Sequence, residues 1–230
     1  MSLAVRDAQL REMMDDPDCD PVRLRRTLQR FAITNRFVAG WGRTYRNLIA
    51  PALAALGRPA TILDLGCGGG DVLRRVVHAA RRDGFEVTGL GVDPDERAIA
   101  TTRPMDAVTY RAADSRRLLA EAAAFDIVIS NHVLHHLDEH AFDAFVDESA
   151  SLATTLCIHS DIRRASLAYA AYAVGITPIS PGSYLRTDGL RSIRRSFTPR
   201  ELSAVLPLGW RVETSRPFRV LAVHRARHRA

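Results

Sequence analysis

The sequence contains no lysine, so arginine supplies all 32 of its Lys and Arg side chains. This absence excludes a phosphate-binding loop that depends on lysine and catalysis through a lysine Schiff base. Cysteine is also scarce: Cys19, Cys67 and Cys157 lie far apart, and their odd number argues against a disulfide framework or a cysteine-rich zinc site. We expect all three to be free thiols.

Long apolar runs are absent as well, and the first residues lead into an acidic stretch, which does not fit a membrane span or a signal peptide. A cytoplasmic protein is therefore expected. The net charge of +6 would suit a nucleic-acid partner, but the arginines are spread as short pairs, which disfavours one. The sequence does not indicate an oligomeric state.

The most informative segment, residues 61–73, leads from an apolar strand through a glycine turn into a helix. Dinucleotide-binding loops have the pattern G-x-G-x-x-G. Here the pattern is D-x-G-x-G-x-G, which places the carboxylate of Asp64 at the end of the strand. A carboxylate at this position repels phosphate and suits a cation.

These residues resemble the first motif of the S-adenosylmethionine (SAM)-dependent methyltransferases with a Rossmann-like fold. Residues 87–95, 110–118 and 125–137 match further motifs of this family, in the family's order. The resemblance implies SAM as the cofactor. It also implies that the glycine loop cradles the methionine part of SAM, through Asp64, Gly66, Cys67, Gly68 and Gly70.

The later motifs account for the rest of the cofactor. Asp93, which precedes Pro94, stands where these folds hold the ribose hydroxyls, since a carboxylate accepts both hydrogen bonds. Asp114 and Ser115 correspond to the family's contacts with adenine. The loop under the methionine end contributes two more residues, Asn131 and His136.

Strand and helix patterns alternate along most of the chain and predict an α/β fold. We expect a doubly wound, mostly parallel seven-stranded sheet with a final antiparallel strand. Its strands are predicted at about 61–66, 87–92, 107–111, 125–130, 153–159, 210–214 and 218–223. Residues 1–58 are assigned to an N-terminal helical lid, with helices from about Ala8 to Leu56 broken near residues 15–21. Residues 59–230 are assigned to the SAM-binding domain.

An insertion at about 163–195 interrupts this domain. Its first half is predicted as an apolar helix of small residues and its second half as a loop rich in Pro, Gly and Arg. In the family, such insertions and the N-terminal helices cover the active site. Its possible anchors for a substrate oxygen or acid are Arg163, Arg186, Arg191 and Arg194. Aromatic residues of the two lid segments suit an apolar acceptor or the lid's own core: Phe37, Trp41, Tyr45, Tyr169, Tyr172 and Tyr184.

Three histidines, His132, His135 and His136, follow the fourth strand. A helical turn would place His132 and His136 on one face and His135 elsewhere. Three interpretations compete: zinc ligation together with His140, a structural turn, or a general base. No cysteine or paired carboxylate is suitably placed, so no metal is predicted. His132 and His135 are the catalytic candidates, since imidazole titrates near neutral pH and can accept a proton from an acceptor hydroxyl.

Residues 158–164 and 188–198 resemble a bacterial methyltransferase subgroup associated with polyketide and other secondary metabolism. The resemblance implies methylation of a small molecule, at an oxygen of a phenolic or polyketide-like acceptor. Carbon methylation of a quinone-like ring is the nearest alternative. RNA methylation and SAM binding without catalysis are alternatives of a different class. Residues 131–134 lack the Pro-Pro-aromatic motif of enzymes that methylate nucleobase amines, which disfavours that reaction.

Overall fold

Residues 3–226 are described in a computed structural model of the protein. Its strands are β1 (Ala60–Leu65), β2 (Val87–Asp93), β3 (Val108–Ala112), β4 (Phe125–Asn131), β5 (Ala153–Ile162), β6 (Trp210–Ser215) and β7 (Arg219–Arg225). They form one sheet in the order β3-β2-β1-β4-β5-β7-β6. Strands β1 to β5 pair in parallel, and β7 runs antiparallel to β5 and β6. The predicted sheet is confirmed.

The α-helices of the described chain are α1 (Pro21–Val38), α2 (Trp41–Thr44), α3 (Ala50–Leu56), α4 (Asp71–Arg82), α5 (Glu96–Ile99), α6 (Ser115–Ala120), α7 (Glu139–Leu152), α8 (Ser166–Gly175), α9 (Leu185–Arg195) and α10 (Pro199–Val205). A π-helical turn, Tyr45–Ile49, joins α2 to α3. Between residues 3 and 226, no helix has both the length and the apolarity needed to cross a bilayer. The cytoplasmic location stays a prediction.

Apolar side chains cover both faces of the sheet, as a doubly wound fold requires. Ile62 of β1 packs in the cluster that contains Leu73 of α4, whereas its neighbour Leu63 packs on the opposite face with Leu118 of α6. Successive residues of a strand point to opposite faces, so burial of both faces makes β1 an almost continuous apolar run.

The chain order creates a ligand-binding position at one edge of the sheet. From β1 the chain moves outward to β2 and β3, and it returns on the other side of β1 to form β4 and β5. In such sheets ligands bind beyond the carboxyl ends of the strands, where the order reverses. The glycine loop after β1 and the histidine turn after β4 both lie at this edge.

The helix predicted from Ala8 is wrong, because α1 begins only at Pro21. Residues 8–20 form turns and extended chain. The amides of Met13 and Met14 donate to the two carboxylate oxygens of Asp188 on α9, at 2.9 and 3.0 Å. These contacts with a distant helix satisfy amides that helical hydrogen bonds would otherwise use.

The second half of the insertion also differs from the predicted loop, since it contains α9. Gly189, which suggests a loop in the sequence, lies inside this helix. A Cβ at Gly189 would lie 2.2 Å from the Tyr172 hydroxyl oxygen, and that hydroxyl donates to the Leu185 carbonyl at 2.8 Å. The glycine therefore permits close packing of α8 against α9. The predicted helix in the first half is confirmed by α8.

Most of the lid aromatics belong to the packed interior. Trp41 and Tyr45 are buried in the same cluster as β1 and α4, and Tyr184 is buried against α1. For these three residues the core interpretation holds. The side chain of Phe37 lies outside the described part of the chain.

Candidate active site

The loop between β1 and α4 turns through three left-handed glycines, Gly66, Gly68 and Gly70, with φ of 69°, 52° and 70°. A Cβ on Gly66 would lie 2.7 Å from Val133, and one on Gly70 would lie 2.3 Å from the Tyr110 ring. These two glycines are required by packing. A Cβ on Gly68 would meet nothing within 4 Å. At Gly68 the backbone is therefore open to a ligand.

Asp93, at the end of β2, is held against this loop. Its Oδ2 accepts the Gly68 amide and its Oδ1 accepts the Asp95 amide, both at 2.9 Å. Burial raises the pKa of its carboxyl group, although these two amide hydrogen bonds oppose the shift. Each oxygen has a further lone pair, so the oriented carboxylate can still accept hydroxyl donors.

Asp64 is buried without a hydrogen-bond partner. It is 1% exposed, and neither carboxylate oxygen makes a hydrogen bond within the described chain. Burial raises the pKa of its carboxyl group well above its usual range, and the charges of Asp71 and Asp93 raise it further. A buried acid beside two others is costly when ionised, and a bound cation would offset that cost.

The other residues predicted to bind the cofactor lie at different depths. Asp114 is exposed and caps α6 by accepting the Arg117 amide at 2.8 Å. Pro94 is exposed after β2, and the buried thiol of Cys67 is kept neutral because burial raises its pKa. Ser115 is buried, and its hydroxyl donates to Glu148 at 2.6 Å. The Ser115 hydroxyl proton is thus engaged by Glu148, and the predicted cofactor contact of Ser115 stays a prediction.

A buried arginine, Arg219 of β7, connects the ends of three strands. It is 2% exposed and donates to Asn131 Oδ1 at 2.9 Å, to Ser160 Oγ at 2.8 Å and to His132 Nε2 at 2.9 Å. Asn131 Oδ1 also accepts the Trp41 indole N–H at 3.0 Å. The Asn131 side-chain oxygen is thus already engaged on two sides, and its predicted cofactor contact stays a prediction.

His132 has a left-handed backbone, with φ of 63°, and this breaks the expected helical turn. The predicted shared face of His132 and His136 is therefore wrong. The His135 and His136 rings are adjacent instead, with centroids 4.3 Å apart. Burial and the charge of Arg219 lower the pKa of His132 well below its usual range. Its Nε2 accepts from the guanidinium, so that lone pair is engaged.

His135 lies between two carboxylates. Its backbone N–H donates to Asp161 Oδ2 at 2.9 Å, and its Nδ1 lies 2.7 Å from Asp161 Oδ1. Its Nε2 lies 3.3 Å from Glu12 Oε1. Burial alone would lower the pKa of His135, but Asp161 and Glu12 outweigh it and raise the pKa to about 9. At neutral pH the ring is therefore an imidazolium.

The N-terminal segment closes over this turn. Glu12 is 4% exposed and accepts from Ser192 Oγ of α9 at 2.7 Å. Asp15 Oδ2 lies 3.2 Å from His136 Nδ1. Arg195 of α9 donates to the His135 and His136 carbonyls. Glu12 is not predictable from the sequence, because no local pattern links it to a histidine so far along the chain.

Two groups of side chains within the described chain bring potential metal-ligand atoms within 4.8 Å of one another. They are Glu12 with His135 and His136, and His132 with His135 and Asp161. His140, which the zinc alternative requires, is exposed on α7 and belongs to neither group. The absence of a metal stays a prediction.

Residues 62–155, which extend from β1 into β5, match the family model described as a methyltransferase domain. This match covers less than half of the chain and indicates a methyltransferase domain in that region. The matched region contains the glycine loop, Asp93, Asp114 and the histidine turn. Glu12, Asp161 and Arg219 lie outside it.

Two curated relatives align with part of this chain. Ajmaline N-methyltransferase of Rauvolfia serpentina is 27% identical over 114 residues, which are 46% of this chain and 38% of the relative. Ubiquinone biosynthesis O-methyltransferase of Caulobacter vibrioides is 37% identical over 83 residues, which are 34% of this chain and 31% of the relative. The alignments thus span less than two fifths of either relative.

Solved structures share the fold across most of the chain. The plantazolicin methyltransferase BpumL, in complex with a monoazolic desmethylPZN analog and SAH, has a TM-score of 0.62 at 12% identity, covering 90% of this chain and 96% of that one. Magnesium protoporphyrin IX methyltransferase (ChlM) from Synechocystis PCC 6803, with bound SAH, has a TM-score of 0.50 at 18% identity, covering 82% of this chain and 84% of that one. At these identities the likeness shows the fold alone.

Proposed function

We propose that the protein transfers a methyl group from SAM to an oxygen of a small-molecule acceptor. The observation that carries the proposal is the position of the buried His135–Asp161 pair at the same sheet edge as the family's glycine loop. When bound, SAM supplies a methyl group activated by a positively charged sulfur. The protein's task is to hold the acceptor in line, exclude water and take up a proton.

The residues at the sheet edge fit SAM. The unpartnered carboxylate of Asp64 suits the positively charged methionine part. The open backbone at Gly68 allows close approach, and the oriented oxygens of Asp93 suit two hydroxyl donors. The resemblance to the family motif implies that Asp114 contacts the adenine. These assignments are part of the proposal.

His135 is the better candidate for the proton acceptor. Asp161 fixes the ring through Nδ1, which leaves Nε2 as the reactive nitrogen. Glu12 now occupies the position beside Nε2. We infer that the acceptor hydroxyl replaces the Glu12 carboxylate, that His135 acts in its deprotonated form, and that the hydroxyl proton moves to Nε2. His132 is less suitable because Arg219 already donates to its Nε2.

The choice of oxygen rests on this histidine, since a hydroxyl acceptor must lose its proton when it is methylated. The two partial relatives are named as an N- and an O-methyltransferase, so the relatives alone leave the acceptor atom open. A bacterial secondary metabolite, phenolic or polyketide-like, is the acceptor class that we propose.

A labelled-methyl assay tests this function. SAM with a labelled methyl group is incubated with phenols, quinones, carboxylic acids and RNA, and each phenol has its methyl ether as the matched control. We expect label in phenolic products and none in the methyl ethers. Label only in RNA, or only on ring carbon, would contradict the proposal. SAH binding without transfer to any acceptor would favour a non-catalytic SAM-binding protein.

A further inference from the structure

A cavity of about 490 Å³ opens at the turn between β6 and β7. Three arginines line it, Arg43 of α2, Arg163 after β5 and Arg216 of the turn, together with the ring of Phe218. We call it the arginine cavity. Its volume lies within the usual range for small-molecule sites.

The positive charge of the arginine cavity is not balanced by acids. Elsewhere in the described chain, arginines pair with carboxylates, as Arg58 does with Asp126 at 2.5 Å and Arg194 with Asp7 at 2.6 Å. Between residues 3 and 226, none of the three cavity arginines forms an ion pair, and no acidic residue lines the cavity. Three uncompensated guanidinium groups around one cavity favour an anionic ligand.

Polar atoms at the cavity wall also lack partners. Arg163 Nε and Ser215 Oγ are buried, and neither makes a hydrogen bond within the described residues. The Arg163 guanidinium lies over the Phe218 ring, 5.7 Å from its centroid. Buried polar groups in proteins normally have partners, so these two unpartnered atoms suit a polar ligand at the cavity wall.

The arginine cavity lies at the sheet edge that carries the proposed active site. A Cβ on Gly40 would lie 3.0 Å from the Arg216 carbonyl oxygen and 3.6 Å from Arg219 Cγ. Arg219 in turn donates to Asn131 and His132 at the end of β4. Arg219 thus lies between the Gly40–Arg216 contact and the histidine turn, so the arginine cavity and the histidine turn share one edge of the sheet.

We infer that the arginine cavity binds an oxyanion, a carboxylate or a phosphate, carried by the methyl acceptor. This inference rests on the proposed methyl transfer and narrows its substrate class to hydroxylated small molecules with an anionic group. Arginine presents paired donors that match the oxygens of either anion, and Phe218 offers a surface for the adjoining apolar part.

Calorimetry with saturating SAH in a chloride buffer tests the inference. The probes are 4-hydroxybenzoate, 4-hydroxyphenyl phosphate and the uncharged 4-hydroxybenzamide. We expect at least one anionic probe to bind about tenfold or more tightly than the amide, because hydrogen bonds to charged groups carry that much free energy. The Arg43→Gln/Arg216→Gln double variant should lose this preference. Arg200→Gln, which changes an exposed arginine of α10, should keep it.

Thermal unfolding checks that each variant is folded. Failure of both anionic probes to outbind the amide, or an unchanged preference in the double variant, overturns the inference. Displacement of the bound anionic probe by single-stranded RNA would assign the cavity to a nucleic-acid backbone and also overturn it. If SAH binds normally in these cases, the proposed function stands; if SAH does not bind to the wild type, the proposed function itself fails.

Discussion

Asp161 accepts two hydrogen bonds from His135, one from its backbone N–H at 2.9 Å and one from Nδ1 at 2.7 Å. Parallel pairing of β4 with β5 sets Asn131 opposite Ser160, which brings the next residue of β5 to the turn that follows β4. The carboxylate thereby fixes the orientation of the ring. The other nitrogen, Nε2, faces Glu12.

Because of these contacts, we expect kcat/KM to be highest at basic pH. Because Asp161 and Glu12 raise the pKa of His135 to about 9, only a small fraction of the ring is deprotonated at pH 7. If His135 is the proton acceptor, kcat/KM should rise with pH up to about 9. Removing one negative charge in Glu12→Gln should lower the pKa of His135 and move the rise to lower pH. The measurement is kcat/KM against pH for both proteins.

The matched control for this profile is Glu86→Gln, which removes an exposed carboxylate far from the histidine turn in the chain. It should keep the wild-type profile. An equal profile for wild type and Glu12→Gln, with both proteins folded, would remove His135 from the role of base.

Two glycines of the same loop should respond differently to alanine, because Gly70 is packed against a side chain whereas Gly68 is open to a ligand. Gly70→Ala places a Cβ against the Tyr110 ring in a left-handed backbone, so we expect a loss of about 3 kcal/mol or more in the free energy of unfolding. Gly68→Ala meets no neighbour and should lose only about 1 kcal/mol from backbone strain. Its SAH affinity, in contrast, should fall at least about tenfold, since the Cβ enters the proposed ligand space.

Urea unfolding and calorimetric SAH titration measure these two quantities. Equal stabilities for the two variants would contradict the packing argument. Unchanged SAH affinity in Gly68→Ala would show that the cofactor does not approach this backbone.

Asp64 should stabilise the complex while destabilising the ligand-free protein. Its folded pKa lies above its unfolded value of 3.8, so its contribution to stability is lost as the pH rises from about 4 through the folded pKa. Asp64→Asn removes this loss and should raise the free energy of unfolding of the ligand-free protein at pH 7. SAH affinity should fall by about tenfold with the loss of a charged partner. Unfolding from pH 4 to 8 and SAH titration provide the measurements, and a variant that loses stability while keeping SAH affinity would refute this assignment.

We expect the protein to lose stability in acid because of the buried imidazole of His159. It is fully buried between the hydroxyls of Ser130 and Ser149, at 2.8 Å from each, and burial lowers its pKa to about 3. A folded pKa below the unfolded one gives stability that is present above pH 6.5 and lost as the pH falls toward 3. Because one proton is involved, the free energy of unfolding should change by at most about 1.4 kcal/mol per pH unit.

The test compares unfolding of the wild type, His159→Gln and the exposed control His78→Gln between pH 7 and 4. The glutamine amide can hydrogen bond but does not titrate, so the slope should become shallower in the His159→Gln variant alone. The same slope in all three proteins would mean that another group controls the acid transition.

Much of the fold and of the cofactor loop was predictable because the signals are local. The apolar run of β1, its acid and the three glycines are contiguous, and Asp93 stands directly at a strand end. Helix α9 was missed for a physical reason: Gly189 normally weakens a helix, and only the approach of Tyr172 explains it.

The environment of the histidines was not predictable, because it depends on contacts between distant parts of the chain. Glu12 reaches His135 through an N-terminal segment whose amides bind Asp188, and Arg219 reaches His132 from the last strand. Neither contact leaves a local pattern in the sequence. The charge state of each histidine follows from these partners, so spacing alone could not assign their roles.

We propose that this sheet edge binds SAM and presents its methyl group to a hydroxyl beside His135. A crystal structure of the protein with SAH tests it most directly. We expect the ribose hydroxyls to be hydrogen-bonded to Asp93, the methionine part to lie beside Asp64 and Gly68, and the sulfur to face the turn that carries His135. SAH bound elsewhere, or with its sulfur directed away from that turn, would show that His135 does not face the methyl group.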